Sequence, residues 1–66
     1  MRTEQINYAI RLGRIAQAED KMRIPWQDAE LIDTMKVHQE NVVGNATFNE
    51  LFEAWLRGWD MQNVEN

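Results

Sequence analysis

A single proline decides how this chain can fold. Around Arg23-Ile24-Pro25 the helical spacing of apolar residues on either side breaks off. Proline pushes the residue before it out of helical dihedrals, so Ile24 is predicted to be extended. Pro25 suits the first turn of a new helix, where its missing N–H leaves no hydrogen bond unmade. The chain is therefore read as two separate helices on either side of the break, the other reading being one continuous helix kinked at Pro25.

Before the break, the spacing predicts a helix over residues 3–22. Thr3 reads as its cap, and Glu4 sits in the first turn, where the helix dipole favours negative charge. At 100° per residue, Ile6, Tyr8, Ala9, Leu12, Gly13, Ile15 and Ala16 gather on one broad side, and Asn7, Arg11 and Arg14 on the other. Gly13 lies inside the apolar face, where it costs about 1 kcal/mol relative to alanine. Either the helix tolerates that cost or a second helix approaches closely there, and close approach is the favoured reading.

After the break, helical spacing resumes over residues 26–43. Leu31, Ile32, Met35, Val42 and Val43 form a stripe bordered by His38 and Gln39. Asp28, Glu30 and Asp33 load the start with negative charge, and Gly44 is placed to end the helix in a left-handed cap. A third helix is predicted over 48–62. Thr47-Phe48-Asn49-Glu50 has the spacing of a capping box, in which the threonine hydroxyl accepts from the Glu50 N–H and the glutamate reaches back. Ala46, just before the cap, is placed to pack on Leu51, and MQNVEN reads as a polar tail. Nothing alternates with strand period. Three helices with short connections predict an all-α fold, a small three-helix bundle forming one domain over residues 1–66.

Size then matters. A domain of 66 residues buries only about 60% of the surface its unfolded chain exposes. It has no cysteine, which removes disulfides and thiolate metal sites, and one histidine, too few for a histidine zinc site. Stability must come from helix packing, from a partner chain, or from both. A homodimer is the simplest partner.

The third helix carries a stripe of Phe48, Phe52, Trp55 and Trp59, to which the second adds Trp26. Together these rings exceed what three short helices can enclose, and contiguous exposed apolar surface usually marks an interaction site. These five residues are therefore the candidate interaction set. Phe52 and Trp55, near the middle of the helix, are assigned mainly to the core. At least one tryptophan, Trp59 in the last turn after Gly58 or Trp26, is the predicted interface anchor.

Charge is unevenly distributed. Arg2, Arg11, Arg14, Lys21 and Arg23 against Glu4, Glu19 and Asp20 give the first 25 residues +2, whereas the remaining 41 hold −6. Arg11, Arg14, Lys21 and Arg23 form a possible basic edge, able to guide association or recruit a charged partner. The second and third helices hold Asp28, Glu30, Asp33, Glu40, Glu50, Glu53 and Asp60, an acidic surface that could imitate nucleic acid. Direct nucleic-acid binding is the lesser reading. The third helix, the natural reader of a helix-turn-helix, has the wrong sign for phosphate.

Catalysis has little to stand on. The acidic groups sit where dipoles and solvent account for them, and so short a chain has little room for a pocket that perturbs a pKa. No phosphate loop, nucleophile elbow or zinc-hydrolase motif is present. No catalytic residue, cofactor or metal is assigned. No run approaches the length of a membrane span, and the polar N-terminal segment does not read as a signal peptide. A soluble, cytoplasmic protein is expected. In composition alone the chain resembles small accessory proteins of bacteria, plasmids or phages. That resemblance implies an inhibitor, adaptor or regulatory subunit acting by protein–protein interaction. The alternative is a small nucleic-acid-associated regulator using the basic edge of the first helix.

Overall fold

The computed structural model describes residues 2–37 and 44–65, and these form a small all-α, three-helix bundle. Helix α1 spans Arg2–Ala18, α2 spans Ala29–Val37 and α3 spans Phe48–Glu65, with one turn of 3₁₀ helix at Pro25–Gln27. The described residues include no strand. Thr3 lies within α1 and therefore does not cap it.

The first helix ends four residues earlier than its spacing predicts, at a Schellman turn. The Lys21 N–H donates to the Ala16 carbonyl at 2.9 Å and the Asp20 N–H to the Gln17 carbonyl at 3.0 Å. Asp20 takes the left-handed conformation this requires, with φ 60°. Glycine usually fills that position; aspartate is among the few other residues that tolerate it. Glu19 and Asp20 are also the wrong charge for a helix C-terminus, which favours stopping there.

Ile24 is extended as predicted (φ −132°, ψ 95°), and Pro25 opens the 3₁₀ turn. That turn does not run on into α2. Asp28, at φ −83° and ψ 107°, interrupts it and becomes the N-cap of α2. Its Oδ1 accepts from the N–H groups of Glu30 at 3.0 Å and Leu31 at 3.3 Å. Aspartate competes for backbone donors two and three residues ahead, so it starts a helix more readily than it continues one. The rest of the predicted second helix, with His38, Gln39, Val42 and Val43, lies outside the described residues. Gly44 has the positive φ expected of it, 93°.

The capping box forms as predicted. Thr47 Oγ1 accepts from the Glu50 N–H at 3.1 Å, and Glu50 Oε1 accepts from the Thr47 N–H at 2.9 Å. From there α3 runs through Gly58 and on to Glu65, so most of the expected polar tail is helical.

Helices α1 and α3 lie side by side and parallel. Arg2 pairs with Glu50 near one end, and Arg14 with Glu65 and Gln17 with Asn63 near the other. Two glycines set the separation. A Cβ added at Gly13 would lie 2.8 Å from the Trp55 carbonyl carbon and 2.9 Å from the Trp59 nitrogen. One added at Gly58 would lie 2.8 Å from the Ile10 carbonyl carbon. Real Cβ atoms do not approach backbone so closely, so each helix presents a glycine to the other's main chain. The close approach predicted at Gly13 is thus found, with a counterpart on α3.

The core consists of Ala9, Leu12 and Ala16 from α1, Leu31 and Met35 from α2, Ala46, and Leu51, Ala54 and Trp55 from α3. Ala46 and Leu51 are both buried there, in keeping with the predicted staple. Phe48, Phe52, Leu56 and Trp59 pack against the edge.

Candidate functional site

The interaction set predicted from the sequence divides into a buried residue, a packed margin and one exposed ring. Trp55 is 1% exposed, so it belongs to the core and is unavailable to a partner. Its indole N–H donates to Asp28 Oδ2 at 2.7 Å, which satisfies the one polar atom of a buried ring. Phe48 and Phe52 are half-buried against the core. Trp59 is also half-buried, because the chain leaving α1 crosses it. Its indole N–H donates to the Lys21 carbonyl at 3.0 Å. The early end of α1 supplies this cover, which a helix running to residue 22 would not. Trp26 alone stands out of the surface, 65% exposed.

Around Trp26 the segment between α1 and α2 presents a second large apolar side chain, Met22. Two extended residues and a 3₁₀ turn hold this segment against the end of the bundle, with Pro25 buried beneath it. Arg23 anchors it. The guanidinium forks onto Asp60 of α3, Nε to Oδ1 and Nη2 to Oδ2, each at 2.8 Å. The hydrogen bonds hold the Asp60 carboxyl below its usual range, with the attraction of the Arg23 charge adding to them and desolvation opposing. Arg23 is raised for the same principal reason.

The basic edge is largely consumed within the chain. Arg14 pairs with Glu65 at 2.7 Å, Arg23 with Asp60, and Lys21 with Glu19 at 3.3 Å. Arg2 pairs with Glu50. Arg11 is exposed and has no ion pair among the described residues. Part of the charge asymmetry thus becomes complementarity between α1 and α3, with Arg2–Glu50 near one end and Arg14–Glu65 near the other. Three members of the predicted acidic surface are committed as well. Asp28 caps and holds Trp55, Glu50 closes the capping box and meets Arg2, and Asp60 holds Arg23.

Gln5 went unnoticed in the sequence, although it shares a helical line with Ala9, Leu12 and Ala16. It is buried and satisfied at both ends of its amide. Oε1 accepts from the Ala46 N–H at 2.6 Å, and Nε2 donates to Asn45 Oδ1 at 2.9 Å. It thereby ties the start of α1 to the segment that enters α3. A polar side chain in an apolar register was the available signal.

Among the described residues no group of three or more His, Asp or Glu side chains is arranged to hold a metal. His38 lies outside them. No described helix is long and apolar enough to cross a membrane. The chain matches no protein-family model, no curated protein and no solved structure.

Proposed function

We propose that this chain is a small protein–protein interaction module, acting as an inhibitor, adaptor or regulatory subunit of a larger protein. We propose further that it associates as a homodimer and works in the cytoplasm, in keeping with its lack of cysteine. The observation that carries the reading is the exposure of two large apolar side chains, Trp26 at 65% and Met22 at 70%, on an anchored segment. A tryptophan fixed in place at the surface loses little freedom when covered, which is why such residues dominate interfaces. The alternative, a nucleic-acid-associated regulator, draws no support from a basic edge whose Arg14, Lys21 and Arg23 face carboxylates of the same chain.

Sedimentation of the wild type and of Trp26→Ala, joined to affinity capture from the native host with both proteins as bait, tests the proposal. The expected result is a concentration-dependent dimer, or a specific captured protein, that is lost on substitution. A monomeric wild type that captures the same proteins as its variant would overturn it.

A further inference from the structure

Helix α1 has a wider apolar face than α3 covers. Tyr8 and Ile15, seven residues apart on one line of the helix, remain 39% and 46% exposed. They look onto α2, whose packing against α1 is slight by comparison with the α1–α3 pair. Two stretches of groove open between α1 and α2. One, of about 510 Å³, is lined by Glu4, Tyr8, Glu30, Asp33, Thr34 and Val37, with buried Gln5 at its floor. The other, of about 350 Å³, passes Leu12, Ile15 and Glu19 and reaches Glu30 again. Glu30 lines both, so they read as one groove running along α1.

The charge on this groove differs from that elsewhere on the molecule. Glu4, Glu19, Glu30 and Asp33 line it, and Lys21, the cation in its lining, already pairs with Glu19. Arg11, on the polar side of α1, is absent from the lining. Glu4, Glu30 and Asp33 make no salt bridge among the described residues. By contrast Arg2, Arg14 and Arg23 are matched to carboxylates of α3. Of the seven cations, four are thus spent in ion pairs, and Arg11, Lys36 and Arg57 lie one on each helix, so no helix of a second copy offers the run of positive charge that would match this groove.

We propose that the α1–α2 groove is the docking site for a basic amphipathic helix of a partner protein. Its apolar side chains would lie on Tyr8, Ile15 and Val37, and its lysines or arginines against Glu4, Glu30 and Asp33. The stretch from Glu4 to Ala18 is about 21 Å of helix, enough to accept roughly 14 residues of a helix laid alongside. Apolar anchors at helical spacing in a groove give such docking its affinity, and the acidic rim gives it orientation and speed. This inference rests on the interaction-module reading and names the chemistry of the partner.

The test uses a synthetic 14-residue helix with leucine at every third or fourth position and lysine elsewhere, beside the same peptide with glutamate for lysine. Amide shifts in the labelled protein locate binding, and stopped-flow association at low and high salt measures its electrostatic part. The lysine peptide is expected to shift Tyr8, Ile15, Thr34 and Val37, and the glutamate peptide to shift nothing. Glu30→Gln with Asp33→Asn, both at exposed positions, should slow association by roughly tenfold or more and flatten its salt dependence. Tyr8→Ala should hasten dissociation without altering that dependence.

Three results would each overturn the proposal. One is that the peptide shifts centre on the outer face of α3, at Leu56, Met61 and Val64. Another is that the acid-neutralised protein associates as fast as wild type. The third is that the groove resonances move with protein concentration alone, which would make a second copy the occupant. Failure here leaves the interaction-module reading distinguishable, since that reading stands or falls with Trp26→Ala in sedimentation and capture.

Discussion

Asp28 and Trp55, 27 residues apart, share one carboxylate between two tasks. Oδ1 caps α2, and Oδ2 accepts the indole N–H of the most deeply buried ring in the core. The start of the second helix is therefore fixed to the middle of the third by one side chain. Asp28→Ala removes a cap worth about 1 kcal/mol. It also leaves the Trp55 N–H buried without an acceptor, at roughly 1–3 kcal/mol. A loss of about 2–4 kcal/mol in urea denaturation is expected. In the background of Trp55→Phe, which has no N–H to strand, the same substitution should cost only the cap. Equal costs in both backgrounds would mean that the bond contributes nothing.

The glycine pair makes a second prediction against propensity. Gly13→Ala and Gly58→Ala each improve the intrinsic helix preference by about 1 kcal/mol. In a solitary helix that would stabilise. Here each new methyl meets backbone of the facing helix, which cannot yield as a side-chain tip can. Separating the helices is the only relief, and it loosens every contact of the core between them. Both variants are expected to be destabilised by about 1–3 kcal/mol or more. A thermal midpoint at or above wild type for either would contradict the close approach.

Three parts of this fold could be read from residue order alone: the break at Pro25, the capping box at Thr47 and Glu50, and the close contact at Gly13. Each depends on near neighbours or on the lack of a side chain, and near neighbours are what a sequence displays. The end of α1 could not be read so directly. Residues 19–22 are compatible with a helix, and the chain leaves it there with further bonds at hand, Lys21 to Trp59 and Arg23 to Asp60. These span 38 and 37 residues, beyond the reach of any periodicity. The fate of Trp59 follows from the same turn. Its position near the end of a helix pointed to exposure, and the returning chain covers it. The breadth of the apolar face on α1 is visible in the sequence; that α3 covers only part of it is not. The acidic rim of the groove becomes apparent only once the arginines are seen to face α3.

The Arg23–Asp60 fork should make stability depend on pH in one direction. Asp60 has its carboxyl lowered from 3.8 in the folded state, chiefly by accepting the Arg23 hydrogen bonds. The unfolded chain thus takes up a proton first as pH falls. The pair's contribution is complete above the unfolded value and is lost as pH drops below it toward the folded one. Asp60→Asn should therefore be less stable than wild type at pH 6, with the gap closing below about pH 4. Because both groups are exposed, added salt should narrow the gap at pH 6 as well. A gap that persists at pH 2 would assign the effect to packing rather than to the carboxylate.

The three tryptophans should separate by what lies on top of them. Trp55 is enclosed, and truncating such a ring typically costs 3–5 kcal/mol, about all the stability a domain of this size holds. Trp55→Ala is expected to unfold. Trp59 is half-covered and holds the Lys21 carbonyl, so its alanine variant loses part of a ring's burial and one hydrogen bond. About 2–3 kcal/mol is the expected cost, and it should come with release of the segment after α1. Faster amide exchange at Lys21 and Asp20, whose N–H groups close the Schellman turn, would report that release. Trp26 has little above it, so Trp26→Ala should change stability by no more than about 0.5 kcal/mol. Its effect belongs instead to association, read by sedimentation at several concentrations. If Trp26→Ala destabilised the monomer as much as Trp59→Ala, the ring would be part of the packing, and the surface it is proposed to offer a partner would not exist.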